Sequence, residues 1–225
     1  MSERRRVLLS WSSGKDSAWA LHVLRRTPGI DVVGLLTTVN ESANRVAMHA
    51  VRAEVLNAQA RAAGLPLWRA GIPERCSNEE YERVMRGVVE RAKGDGITAM
   101  AFGDLFLEDV RRYREEHLRG TGIEPLFPLW GEPTGELARA MLDAGVGAFV
   151  TAVDPKQIDP SFVGRAWDPS FLAELPRGAD PCGENGEFHS FVWRGPMLKA
   201  PVPVRVGETV ARGGFVFADL VLDGV

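Results

Sequence analysis

The hexapeptide Ser12-Ser13-Gly14-Lys15-Asp16-Ser17 gathers three hydroxyls, an ammonium and a carboxylate around one glycine. It directly follows the apolar run Val7-Leu8-Leu9-Ser10. Strand, polar loop and helix in direct succession aim backbone N–H groups and a helix N-terminus at whatever lies above the loop. An anion with several oxygens is the expected occupant. Two common phosphate loops do not fit. A Walker loop needs glycine where Leu9 stands and Ser or Thr where Asp16 stands, and the dinucleotide pattern GxGxxG is absent. Taken alone, the six residues also admit a plain helix start in a polar loop.

A second cluster runs from Asp180 to Ser190: Asp180, Pro181, Cys182, Gly183, Glu184, Asn185, Gly186, Glu187, Phe188, His189, Ser190. Three acids, a thiol and an imidazole share a loop with two glycines. Beside a polyphosphate, such carboxylates are suited to holding Mg²⁺, binding an ammonium or amine, or taking a proton from an attacking nitrogen. Glu184, Glu187 and His189 are the candidates by residue type. Alone, the segment reads more readily as a glycine turn with solvated acids ahead of a strand starting at Phe188.

The hexapeptide resembles the pyrophosphate loop of the ATP pyrophosphatase superfamily, Ser-Gly-Gly-Lys-Asp-Ser, with Ser13 in place of a glycine. If that position needs positive φ, a serine there is strained. Both loops together resemble the diphthine–ammonia ligase family. Ser10-Trp11, Met48-His49, Gly103-Asp104, Pro128-Leu129-Trp130 and Gly164-Arg165 extend the likeness over most of the chain. The sequence departs from the family pattern at Asn185 and at His189, where Glu is usual.

The resemblance implies an ATP-dependent, AMP-forming ligase that adenylates a carboxylate, releases pyrophosphate and transfers ammonia or an amine. ATP would be held by Ser10, Ser12, Ser13, Gly14, Lys15, Asp16 and Ser17, by Thr37 and Thr38 with Met48 near adenine, and by Gly103 and Asp104. Catalytic roles fall to Lys15, Asp16, Glu184, Glu187 and His189, and Asp16 would help place Mg²⁺. Asp180, Cys182, Gly183, Glu184, Asn185, Gly186 and Glu187 would form the substrate loop. The acid would be diphthine on elongation factor 2 in an archaeon or eukaryote, and another acid in a bacterium. A tRNA-modifying ATPase and a nucleotide-binding regulator without turnover are the alternatives. The implied fold is α/β: a HUP-like (adenine nucleotide alpha-hydrolase-like) three-layer domain with a smaller C-terminal α+β region. A homodimer is admitted.

The elements that must position these groups are legible in outline. Strand signals at Val7–Ser10, Asp31–Val39, Leu67–Ala70, Thr98–Phe102 and Ala148–Val153 alternate with helical stretches starting near Lys15, His49, Ser77, Leu107 and Thr134. Such alternation predicts βαβ units and a parallel sheet covered on both faces. Ser77 and Glu80 form a capping box, Ser-x-x-Glu, and Thr134 is expected to cap its helix. After Val153 proline and glycine become frequent, which places a division between 1–154, the nucleotide-binding part, and 155–225, a smaller substrate-binding part. Strand runs follow at Phe191–Trp193, Val202–Val206 and Phe215–Leu222.

The chain has 225 residues, 45% hydrophobic and 25% charged with net charge −3, which fits a folded core and argues against disorder. The mild acidity disfavours duplex nucleic acid as the main partner. Cys76 and Cys182 form neither a CxxC pair nor a zinc spacing, so free thiols and a reducing cytoplasm are expected. The N-terminal apolar run is too short for a signal peptide and no membrane span follows. The run Arg111-Arg112-Tyr113-Arg114-Glu115-Glu116 is expected as a solvated helix face, or as a source of arginines for an acidic substrate.

Overall fold

The structure, a computed structural model, describes residues 4–40, 45–46, 51–73 and 76–224. The first half builds a parallel sheet from β1 (Arg5–Ser10), β2 (Ile30–Asn40), β4 (Leu67–Ile72), β5 (Ala99–Ala101) and β6 (Glu124–Leu126). Their order is β4-β2-β1-β5-β6, with all four pairings parallel. The two-residue β3 (Arg45–Val46) pairs antiparallel with the end of β2.

Alternation along β1 explains the three layers. Val7 and Leu9 point to one face, where they pack with Ala18 and Leu21 of α1 (Lys15–Arg26) and Val55, Leu56 and Ala60 of α2 (Ala53–Ala63). Leu8 points to the other face and packs with Val89 and Ala92 of α3 (Asn78–Gly94) and Leu118 of α4 (Glu108–Leu118). The expected parallel α/β sheet is therefore present. The capping box is also present: Ser77 Oγ accepts from the Glu80 N–H, and the Glu80 carboxylate accepts from the Ser77 N–H.

Two expectations are corrected. The strand read at Ala148–Val153 is β7 (Gly147–Val153), and it lies outside the parallel sheet. It pairs antiparallel with β8 (Ala166–Trp167), β9 (Phe188–Arg194) and β11 (Phe215–Leu222), while β10 (Val204–Arg212) completes a second sheet by pairing with β11. A continuously apolar strand fits a doubly covered sheet of either kind, so periodicity could not assign it. The change of sheet falls between β6 and β7, ahead of the 154/155 division read from composition. Thr134 does not cap α5 (Thr134–Asp143); it is the first helical residue, and its hydroxyl donates to Asp180 Oδ2 at 2.6 Å.

The chain runs β1, β2, β4 toward one edge, then returns to place β5 on the opposite side of β1. Strand order thus reverses between β1 and β5, and ligands in such sheets sit at the carboxyl ends flanking that switch. The segments there are Trp11–Gly14 and Phe102–Leu105. Among the described residues, no helix is long and apolar enough to cross a membrane.

Candidate active site

The hexapeptide bends as the sequence predicts. Helix α1 starts at Lys15, and Gly14, the residue before it, has no side-chain cap. The loop's hydroxyls knit it together instead: Ser12 Oγ lies 3.2 Å from Ser17 Oγ and accepts from the Gly14 N–H, while Ser17 Oγ donates to the Gly14 carbonyl at 3.0 Å. Ser13 adopts φ +71°, alone in that region among the described non-glycine residues. The turn sends the Ser13 carbonyl toward the second sheet, where it accepts from the Val192 N–H at 3.0 Å and from Gln59 Nε2 at 2.9 Å. The strained φ is thus held by two buried hydrogen bonds, but Ser13 Oγ is buried without a protein partner.

Gln59 is itself fully buried. It also donates to the Val192 carbonyl and accepts from Trp11 Nε1 at 2.8 Å. Its role is not evident from the sequence. Its signal was a polar residue within the apolar stripe Val55, Leu56, Ala60 and Ala63 of α2.

The two loops meet through Lys15. Its backbone N–H donates to Ser190 Oγ at 3.2 Å. Its ammonium donates to Asp16 Oδ2 at 2.9 Å and to the Cys182 carbonyl. Phe188 and Trp167 flank the ammonium, with ring centroids 5.3 and 5.8 Å away. Lys15 is only 2% exposed, so it is a buried linchpin between the loops. Trp167, 1% exposed, was not singled out by the sequence either. Burial pushes the Asp16 carboxyl up, against the pull of Lys15 beside it.

A cavity of about 210 Å³ lies between the loops. From the first loop and β1 it receives Ser10, Ser12, Gly14, Lys15, Asp16 and Ser17, and from the end of β5 it receives Gly103 and Asp104. Cys182, Gly183, Glu184, Gly186 and His189 close the far side. Gly103 is required by close approach: a Cβ there would lie 3.0 Å from the Asp16 carbonyl carbon and the Ser17 nitrogen. An adjoining cavity of about 240 Å³ shares Ser10, Ser12, Phe102 and Arg114, and extends to Thr37 and Thr38 at the end of β2. Thr37 is buried, with its hydroxyl donating to the Trp11 carbonyl at 2.6 Å. Met48 lies outside the described residues.

Four expected site residues among the described ones line neither cavity. Ser13 is fully buried. Asp180 is spent inside its own loop: Oδ1 accepts from the Cys182 and Glu184 N–H groups, and Oδ2 from Thr134. Glu187, 2% exposed, accepts from the Asp180 N–H at 2.8 Å and from Asn185 Nδ2 at 3.1 Å. It braces the loop from within, while the exposed Asn185 holds it from the solvent side. The physical reason is the tight turn at Gly183, φ +70°, where a Cβ would stand 2.7 Å from the Phe188 carbonyl. That bend lies between Asp180 and Glu187, which meet inside the loop.

Glu184 does face the cavity. Its Oε1 accepts from the Leu105 N–H at 2.8 Å, which ties the second loop to the end of β5. Burial pushes its carboxyl up to about 7, aided by the Asp16 charge and opposed by the Leu105 N–H. A carboxyl poised there exchanges protons near neutrality. Burial, then the Lys15 charge, pushes His189 down to about 4, so its imidazole is neutral at pH 7. Burial pushes the Cys182 thiol up to about 12, which removes it as a nucleophile.

The charged run on α4 divides its labour. Arg111 pairs with Glu115 at 2.8 Å, as expected of a solvated face. Arg114 turns inward, pairs with Asp104 at 2.7 Å and stacks over Phe102 at 4.4 Å. Among the described residues no group of three or more His, Cys, Asp or Glu is arranged to hold a metal by itself. Asp16 Oδ1 is nevertheless buried without a partner at the cavity edge. One carboxylate oxygen beside bound phosphates fits the partial protein ligation that Mg²⁺ favours.

The comparisons with known proteins agree with this geometry. Residues 5–125 match the diphthamide synthase N-terminal domain and residues 133–219 the diphthamide synthase C-terminal domain. Among curated relatives, a diphthine–ammonia ligase of Homo sapiens is 29% identical over 178 residues, covering 71% of this chain and 65% of that protein. Another, of Bos taurus, is 25% identical over 240 residues, covering 95% of this chain and 88% of the relative. One of Danio rerio is 26% identical over 178 residues, covering 71% and 68%. The chain thus spans just under two thirds of the human relative's length. The matched domains cover most of the sequence and meet at the crevice where the two loops face each other; the chain belongs to the diphthamide synthase family.

Proposed function

We propose that this protein is an ATP-dependent, AMP-forming carbon–nitrogen ligase acting on diphthine of elongation factor 2, or on another carboxylic acid if its source lacks diphthine. The observation that carries the proposal is that the Ser12–Ser17 and Cys182–Ser190 segments line one cavity and are fastened together through Lys15. ATP lies with its β- and γ-phosphates against the first loop and its adenosine toward Thr37 and Thr38. A carboxylate oxygen attacks the α-phosphorus, the bond from that phosphorus to the bridging oxygen breaks, and pyrophosphate leaves. The loop's N–H groups, the Ser12 and Ser17 hydroxyls and Lys15 stabilise the charge that builds on the leaving group. Ammonia then attacks the acyl carbon, the carbon–nitrogen bond forms, and AMP departs. Glu184 takes the proton from nitrogen. Mg²⁺ beside Asp16 would neutralise phosphate charge.

In this division of labour the parallel-sheet part holds the nucleotide, and the antiparallel part supplies the closing loop. The test is incubation with ATP, Mg²⁺, ammonium and unamidated diphthine-bearing elongation factor 2, with nucleotides and protein mass followed. AMP, pyrophosphate and the amidated factor are expected. ADP and phosphate as products would refute the adenylation step. Intact ATP with every acid and amine tried would favour a nucleotide sensor.

A further inference from the structure

A third cavity, about 340 Å³, opens between α3 and α4 over the face of β5. Its floor is Met100 and Phe102, and Tyr81, Met85, Tyr113 and His117 form its walls. The surface is mainly apolar and aromatic: the Tyr113 and His117 rings stack at 3.8 Å, and His117 Nε2 meets Glu82 at 3.4 Å. None of its lining residues belongs to either loop of the candidate active site. Yet it joins the nucleotide crevice, because Phe102 and Arg114 line all three cavities and Tyr81 and Met85 line this one and the cavity at Thr37 and Thr38.

Displacement at phosphorus needs the attacking oxygen opposite the leaving oxygen. The leaving pyrophosphate lies against Ser12–Ser17. The attacking acid must therefore arrive from the side away from that loop, and this cavity opens there. The junction also holds the right charge. Arg114, which lines all three cavities, is the cation at their meeting point, oriented by Asp104 and by stacking on Phe102. A guanidinium there meets both the α-phosphate and an incoming carboxylate. The volume falls within the usual range for a small-molecule seat.

Resting on the adenylation proposed above, we propose that the α3–α4 cavity seats the acyl substrate: a carboxylic acid on an apolar or aromatic stem, its carboxylate aligned by Arg114. The nucleotide loops contribute nothing to this seat. Tyr113, 38% exposed, can be changed with little effect on folding.

The test compares wild type with Tyr113→Ala, Tyr113→Phe and Glu82→Trp, the last filling the mouth from a half-exposed position. The substrates are ATP and unamidated diphthine-bearing elongation factor 2. Tyr113→Ala and Glu82→Trp should raise KM for the acid-bearing protein about tenfold, with kcat and KM for ATP within about twofold of wild type. Tyr113→Phe should restore the acid KM. A rise in KM for ATP, with dissociation constants for α,β-methylene-ATP rising in parallel, would mean that the cavity holds the adenine and would overturn the proposal. Unchanged acid KM in both variants would also overturn it. If wild type forms no AMP with this or any other acid tried, the adenylation itself fails, and the seat falls with it. That outcome differs from an active wild type whose variants are indifferent.

Discussion

Replacing Ser13 with glycine should stabilise the protein, an unusual result for a change inside a binding loop. Two costs are visible at this residue. A non-glycine residue at φ +71° carries a left-handed penalty of about 1–2 kcal/mol. The buried Oγ without a protein partner adds about 1–3 kcal/mol of lost hydration. Against these stand glycine's extra freedom in the unfolded chain, about 0.5–1 kcal/mol, and one lost buried carbon, about 0.8 kcal/mol. The balance is a gain of about 1–3 kcal/mol. For a chain of this size that raises Tm by roughly 2–4 °C per kcal/mol. Ser13→Ala separates the two costs, since it removes the hydroxyl and keeps the Cβ. Calorimetric or denaturant-induced unfolding of the three proteins should place both variants above serine, with glycine and alanine within about 1 kcal/mol of each other. Alanine above glycine by more than about 1 kcal/mol would refute the backbone contribution, and a destabilised glycine variant would refute both. The carbonyl of residue 13 keeps its bonds from Val192 and Gln59 in all three.

Lys15→Met should weaken ATP-induced thermal protection and also lower stability by about 2–3 kcal/mol in calorimetry, because it strands the buried Asp16 carboxylate; that side chain's 24% exposure keeps the loss at the low end for a broken buried pair. A variant as stable as wild type would show that the ammonium is not the fastening between the loops. Gly103→Ala should weaken ATP binding about tenfold in calorimetric titration while leaving the fold intact, since its Cβ presses on the backbone of Asp16 and Ser17; unchanged affinity would mean that the loop yields freely. For Glu184 the folded carboxyl, near 7, holds a proton that the unfolded chain releases from about 4.5 upward. The native state binds more protons in that window, so this group's contribution to stability falls as pH rises from about 4.5 to 7. Glu184→Gln should remove that slope from a Tm–pH profile and slow the amide-forming step, whose rate should otherwise rise through about pH 7. A wild-type slope retained in the variant would assign the titration to another group.

The first loop was legible because its chemistry is local. Six consecutive residues between one strand and one helix set the N–H donors, the hydroxyls and the helix start, and nothing distant is needed to place them. The parallel sheet was legible for the same reason, through alternation of apolar runs with amphipathic helices. The second loop could be located but not oriented. Residue type suggested Glu184, Glu187 and His189 equally, and only the bend at Gly183 decided that Glu184 faces the cavity while Glu187 turns inward to brace Asp180 and Asn185. The burial of Lys15 was not legible, because Trp167 and Phe188, which flank its ammonium, lie more than 150 residues away along the chain. Gln59 stayed hidden, and which arginine of the Arg111–Glu116 run turns inward stayed open, because a glutamine on a helix and an arginine in a charged run gain meaning only from their partners elsewhere in the fold. The sheet membership of Gly147–Val153 depended on hydrogen-bond partners that no apolar run can specify. What the sequence by itself determined is the chemistry carried by neighbouring residues. What only the tertiary structure decided is which side chains lose water and which meet across the crevice, because burial and pairing arise between segments far apart in the chain.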